Sequence, residues 1–185
     1  MKVVLENIGK QYHREWIFKN LNLTINSGDS LAILGANGSG KSTLLQILSG
    51  SVIPTIGKIN FNSSEIKIDV EEIYKHISFA SPYLELIEEF TLLEIVEMHF
   101  KFKKALNNFS ANDIVEISGL QNSAAKIFKY FSSGMKQRVK LTLAILSDVE
   151  MILLDEPASN LDSTSISWYQ KLISDYAKNK TVVIC

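Results

Sequence analysis

The residues best suited to chemistry form one short run, Gly35-Ala36-Asn37-Gly38-Ser39-Gly40-Lys41-Ser42. Glycine, lysine and serine in the spacing G-x-x-x-x-G-K-[ST] suit the cradling of a polyphosphate. Glycine lets the backbone curl until several N–H groups face one anion. A helix starting after the loop turns the positive end of its dipole toward the same phosphates. Lys41 adds a point charge at the outer phosphates, and the Ser42 hydroxyl offers a ligand to Mg²⁺. Thr43, the next residue, is counted with the binding set. A chance glycine-rich turn would not fall between an apolar strand, Ser30 to Leu34, and a helical stretch, Ser42 to Leu48. The loop is therefore expected to bind a nucleoside triphosphate.

A second cluster follows Met151-Ile152-Leu153-Leu154, where the apolar run gives way to Asp155 and Glu156. On a buried strand, Asp155 emerges at the carboxyl end, where it could bind Mg²⁺ through water. Glu156, one residue further on, could polarise an attacking water as general base. Two acids closing a surface strand would read the same in isolation. Beside a phosphate loop, the catalytic reading is preferred.

These groups need a scaffold. Lys2 to Ile8 and Leu21-x-Leu23-x-Ile25 read as strands, the latter by strict alternation. Ser27-Gly28-Asp29 and Pro54 to Gly57 are turn signals, with a strand near Ile59. From about Tyr83 to Leu146 the pattern is mostly helical. Thr91 with Glu94, and Ser110 with Asp113, have capping-box spacing, and Ser132 and Ser133 can cap a helix running through Met135 to Ile145. A helix begins near Asp162. Thr181 to Cys185 is a further buried strand. Apolar strands alternating with helices predict a mostly parallel α/β sheet. The boundaries are a single domain, 1–185, with a core of 1–81 and 147–185 around a helical insertion, 82–146.

Between insertion and acidic strand lies Phe131-Ser132-Ser133-Gly134-Met135-Lys136-Gln137-Arg138. This block resembles the LSGGQ signature of the ABC-type ATPases, the nucleotide-binding domains of ABC transporters. Ser159-Asn160-Leu161-Asp162 resembles the same family's D-loop, and the order of motifs also matches. The resemblance covers essentially the whole chain. It implies a P-loop NTPase fold with a mostly parallel central sheet, an N-terminal antiparallel β portion and an inserted helical subdomain. It implies ATP with Mg²⁺, since no N-K-x-D guanine-reading motif occurs. It also implies a head-to-tail dimer, in which Ser132 and Gly134 reach the γ-phosphate of the other copy and Asp162 helps couple the two sites. Tyr12 lies where family members stack an aromatic on adenine, with Trp16 as the alternative. The implied partners are a second nucleotide-binding domain and a membrane-spanning transporter subunit. That subunit would hold the chain on the cytoplasmic face of the membrane.

The sequence departs from the family in three places. Pro82, or Tyr83 with a one-residue slip, stands where an Mg²⁺-touching glutamine is usual, with Glu85 nearby. Phe131, Ser133 and Met135 replace the favoured Leu, Gly and Gln. The chain stops at Cys185, before the switch histidine, and ending on a core strand is read as truncation. His13, His76 and His99 are read as surface or loop residues.

Composition agrees with a globular domain: 46% hydrophobic, 21% charged, net charge −1. That balance offers no basic footprint for nucleic acid. The single cysteine excludes an intrachain disulfide. No leader peptide is read at the N-terminus, and no apolar run nears the roughly 20 residues that span a bilayer. Two other functions stay open: a soluble ABC-type ATPase acting on ribosomes or DNA, and a slow ATP-clamped binding module.

Overall fold

The computed structural model describes residues 1–64 and 66–185. The chain divides into two compact units. The first comprises Met1–Phe79, Val149–Asp155 and Asn179–Cys185. In chain order its elements are β1 (Lys2–Tyr12), β2 (Glu15–Ile25), β3 (Ser30–Ala32), α1 (Lys41–Leu48), β4 (Ile56–Ser63), β5 (Ile66–Ile68), β6 (Ile77–Ala80, whose last residue clusters with the second unit), β7 (Met151–Leu154) and β8 (Thr181–Ile184).

One four-stranded sheet has the order β2-β1-β4-β5, and its pairs β1/β2, β1/β4 and β4/β5 are antiparallel. The first two strands run further than their apolar patterns predict, because β1 and β2 pair from Val3–Ile25 to Tyr12–Glu15. A second sheet has the order β3-β8-β7-β6, with β3/β8 and β7/β8 parallel. All four residues of β7 are buried, as a central parallel strand requires. Leu44, Leu45, Ile47 and Leu48 of α1 share one core with Val3, Leu5, Phe61, Met151, Leu153 and Val183. Each such fully buried aliphatic side chain contributes about 1.5–3 kcal/mol.

Two expected strands end early. The Ile33 N–H still donates to Ile184 O at 2.8 Å, but Leu34 is 89% exposed as the chain turns into the glycine loop. The strand expected over Thr181 to Cys185 ends at Ile184. His76 is also more than a surface residue. Its Nδ1 lies 2.8 Å from Glu150 Oε1, beside Ser63 Oγ at 2.7 Å and the Met1 ammonium at 3.1 Å from Oε2. Burial opposes ionisation of Glu150, yet these three partners together hold its pKa below the usual range.

The second unit comprises Ala80–Asp148 and Glu156–Lys178. Its helices are α2 (Leu92–Phe102), α3 (Ala111–Ile117), α4 (Ser133–Ile145) and α5 (Ser163–Tyr176). Both capping boxes form, Thr91 with Glu94 and Ser110 with Asp113. α2 starts at the expected Thr91 cap, whereas the mostly helical pattern read from about Tyr83 does not extend over 83–90. Glu88 O and Phe90 O instead accept from Lys129 N (2.9 Å) and Phe128 N (2.8 Å), so this backbone is committed elsewhere. Ser132 alone caps α4, and Ser133 is its first helical residue. His99, read as a surface or loop histidine, sits within α2. Its Nε2 is 3.1 Å from Ser147 Oγ, and burial, reinforced by Lys103, lowers its pKa to about 4.

Candidate functional site

In the first unit, the Gly35–Gly40 loop leads directly into α1. Gly40 is the N-cap of α1 with φ 94°, in the left-handed region that glycine occupies without penalty. A Cβ there would lie 2.4 Å from Ile17 Cγ2, and one at Gly35 would lie 2.7 Å from Ser39 Oγ. The cradle is thus cut to glycine dimensions at both ends. The N–H groups of the first helical turn, from Lys41 to Thr43, lack intrahelical acceptors by construction and open toward the loop. Gly35, Ala36, Asn37, Gly38 and Ser39 are exposed. Lys41 Nζ donates to Gly35 O at 2.9 Å and Ala36 O at 3.0 Å, so its ammonium is held against the loop carbonyls.

Ser42 Oγ donates to Asp155 Oδ1 at 3.1 Å, which joins the helix start to the carboxyl end of β7. Asp155 is only 3% exposed, and the Cys185 thiol donates to the same oxygen at 3.0 Å. Ser42 and Asp155 are hard oxygen donors side by side, the chemistry Mg²⁺ favours when phosphates and water complete its shell. Among the described residues, no group of three or more His, Cys, Asp or Glu could hold a metal. Two protein oxygens, from Ser42 and Asp155, suit an ion whose remaining ligands are phosphate and water.

In the second unit, Glu156 is exposed and has φ 45°, a conformation uncommon for a non-glycine residue. The signature residues start α4. Ser132 Oγ accepts from Met135 N at 3.2 Å; a hydroxyl accepting there still has its own proton to donate. A Cβ on Gly134 would lie 2.9 Å from Asn160 O, so the signature backbone and the Ser159–Asp162 segment run in close contact. The Asp162 carboxylate caps α5, accepting from Ser165 N (2.8 Å) and Thr164 Oγ1 (2.9 Å), which lowers its pKa. Arg138 donates to Ser118 O at 3.1 and 2.7 Å, and its guanidinium stacks 4.4 Å from the Trp168 ring centroid. The basic continuation of the signature therefore has a structural task within its own unit.

Tyr12 ends β1, is 42% exposed and carries Lys10 Nζ 4.8 Å from its ring centroid. Trp16 is only half-buried and packs near Gly9. Pro82 and Tyr83 follow β6, and Tyr83 is 83% exposed. Lys140 donates to Pro82 O at 2.6 Å and Ser81 O at 3.3 Å. Neither that contact nor the buried Gln137, whose Nε2 reaches Pro157 O at 3.1 Å, is foreseen from the sequence. Both partners are distant in the chain, and only the presence of Gln137 in the signature block and of Lys140 just after it on α4 marks them.

Residues 18–159 match the family described as ABC transporter. The chain is 30% identical over 178 residues to the bacitracin transport ATP-binding protein BcrA of Bacillus licheniformis, covering 96% of this chain and 58% of that protein. It is 33% identical over 204 residues to the phosphonates import ATP-binding protein PhnC of Fusobacterium nucleatum, covering 100% and 82%. It thus spans little more than half the length of BcrA. Among solved structures it superposes on the dimeric, post-hydrolysis ATP-binding cassette MJ0796 bound to ADP and Pi, with TM-score 0.82, 29% identity and coverage of 98% and 87%. With this profile match spanning most of the chain, and a phosphate loop, acidic strand end and signature helix in the same order, the chain belongs to the ABC transporter family.

Proposed function

We propose that this chain binds ATP on Gly35–Thr43 and hydrolyses it as the nucleotide-binding subunit of an ABC transporter. The observation that carries the reading is the Ser42–Asp155 contact at the mouth of the glycine cradle. It joins a phosphate-binding loop to a carboxylate that fits Mg²⁺.

The loop N–H groups and Lys41 hold the β- and γ-phosphates, and Tyr12 stacks on the adenine. Ser42 and Asp155 would hold Mg²⁺, which when bound offsets charge on the phosphates. Glu156 takes the proton of the attacking water. The start of α4, with Ser132 and Gly134, donates to the γ-phosphate of a second copy, and Asp162 supports the segment that couples the two sites. In this reading 82–146 is the insertion that meets a membrane-spanning subunit, with 1–81 and 147–185 as the ATPase core. The chain is then peripheral on the cytoplasmic face of the membrane. The dimeric structure of the similar cassette MJ0796 supports the second-copy arrangement.

The test has two arms, both on the full-length protein. Lys41→Ala should abolish ATP binding by calorimetry; tight binding in that variant would show the loop is misassigned. Affinity purification from native membranes should bring down a membrane-spanning subunit. Recovery only with ribosomes or DNA would transfer the protein to the soluble branch of the family.

A further inference from the structure

Gln137 lies in the second turn of α4 and is 3% exposed. Its amide Nε2 donates to Pro157 O at 3.1 Å and lies 3.5 Å from Glu156 O. Glu156 O also accepts from Ser159 N at 3.0 Å. At φ 45°, Glu156 holds a conformation that persists only where the surroundings enforce it. Within this unit the Ser159 N–H and the Gln137 amide both bear on that turn, and Gln137 is the one that ties it to α4. A second contact fixes the far end of the same segment, where Gly134 abuts Asn160 O.

We propose that Gln137 is a positioning residue: it fixes the Glu156 turn from the signature helix, so that displacement of α4 moves the general base. The inference rests on the role proposed for Glu156. A buried amide is well suited to this task. It donates to carbonyls at fixed geometry without introducing a charge. Ser132 and Gly134 stand at the start of the same helix, so whatever docks there acts on the Glu156 backbone through a rigid element.

The experiment uses the full-length protein in its native assembly, with Gln137→Met, Gln137→Glu and Glu156→Gln assayed side by side. Methionine keeps the volume and removes the donor. Gln137→Met should lower kcat at least tenfold, while KM for ATP and the affinity for a fluorescent ATP analogue stay within twofold. Gln137→Glu places a carboxylate against two carbonyls at neutral pH. On protonation it regains a donor, so its kcat relative to the parent should rise as pH falls from 8 to 6. That rise is also the deciding result if the methionine variant does not fold. A kcat within twofold of the parent for Gln137→Met, a loss carried by KM, or a flat pH ratio for Gln137→Glu would overturn the inference. If Glu156→Gln is inactive while Gln137→Met turns over normally, only the positioning role falls. If Glu156→Gln turns over normally, the role of Glu156 falls and the positioning role with it.

Discussion

Replacing Gly40 with alanine tests the shape of the phosphate cradle directly. Gly40 has φ 94°, and the left-handed region costs a residue bearing a Cβ about 1–2 kcal/mol. The new methyl would also sit 2.4 Å from Ile17 Cγ2 and 3.0 Å from Phe18 Cδ1. Overpacking of that kind costs a further 1–3 kcal/mol, roughly. Gly38→Ala is the matched control, because Gly38 has φ 81° but nothing within 4 Å of its Cβ position. It should therefore lose only the conformational part. For a chain of this size, 1 kcal/mol moves Tm by about 2–4 °C. Thermal melting by circular dichroism should then place Gly40→Ala about 2–12 °C below Gly38→Ala. Because Gly40 caps α1, the same substitution should tilt the first-turn N–H groups and weaken ATP binding at least tenfold. Two variants melting within about 1 °C of each other would refute the reasoning, since the steric contact would then be relieved at no cost.

Lys140→Met should free the Ser81–Pro82 segment. Losing a charged donor to two carbonyls costs about 1.5–3 kcal/mol, enough to raise local opening by roughly tenfold or more; chymotryptic cleavage at exposed Tyr83 should accelerate accordingly, and an unchanged rate would count against this anchor. His99 makes stability depend on pH. Its folded pKa is about 4 against 6.5 for the unstructured residue, so the unfolded state takes the proton first. The contribution, at most about 3 kcal/mol, is present above pH 6.5 and lost as pH falls from there toward 4. Urea titrations from pH 7.5 to 4 should show this loss, and His99→Gln should flatten that part of the curve.

The phosphate loop, the acidic strand end and the caps were legible in the sequence because each is written in contiguous or i,i+3 residues. Ser42 meets Asp155 across 113 positions, yet both were found because each announces itself in its own motif. Lys140 and Gln137 were not legible, since a lysine or glutamine on a helix does not say which distant carbonyl it will reach. The mostly helical pattern read from about Tyr83 holds only from the Thr91 cap onward, for a related reason. Residues 83–90 have helical composition, but the backbone at Glu88 and Phe90 is bonded to Lys129 and Phe128. His99 looked like a surface residue because its burial depends on packing between α2 and the segment around Ser147. The extra length of β1 and β2 reflects pairing between the two strands rather than any apolar alternation at their tips.

Phosphate release and nucleotide retention by Glu156→Gln in the full-length protein decide whether Glu156 is the general base. This variant should bind ATP with parental affinity, release no phosphate above background, and elute as an ATP-stabilised dimer in gel filtration. Turnover at the parental rate would contradict it, because the general base would then lie elsewhere than at the end of the acidic strand.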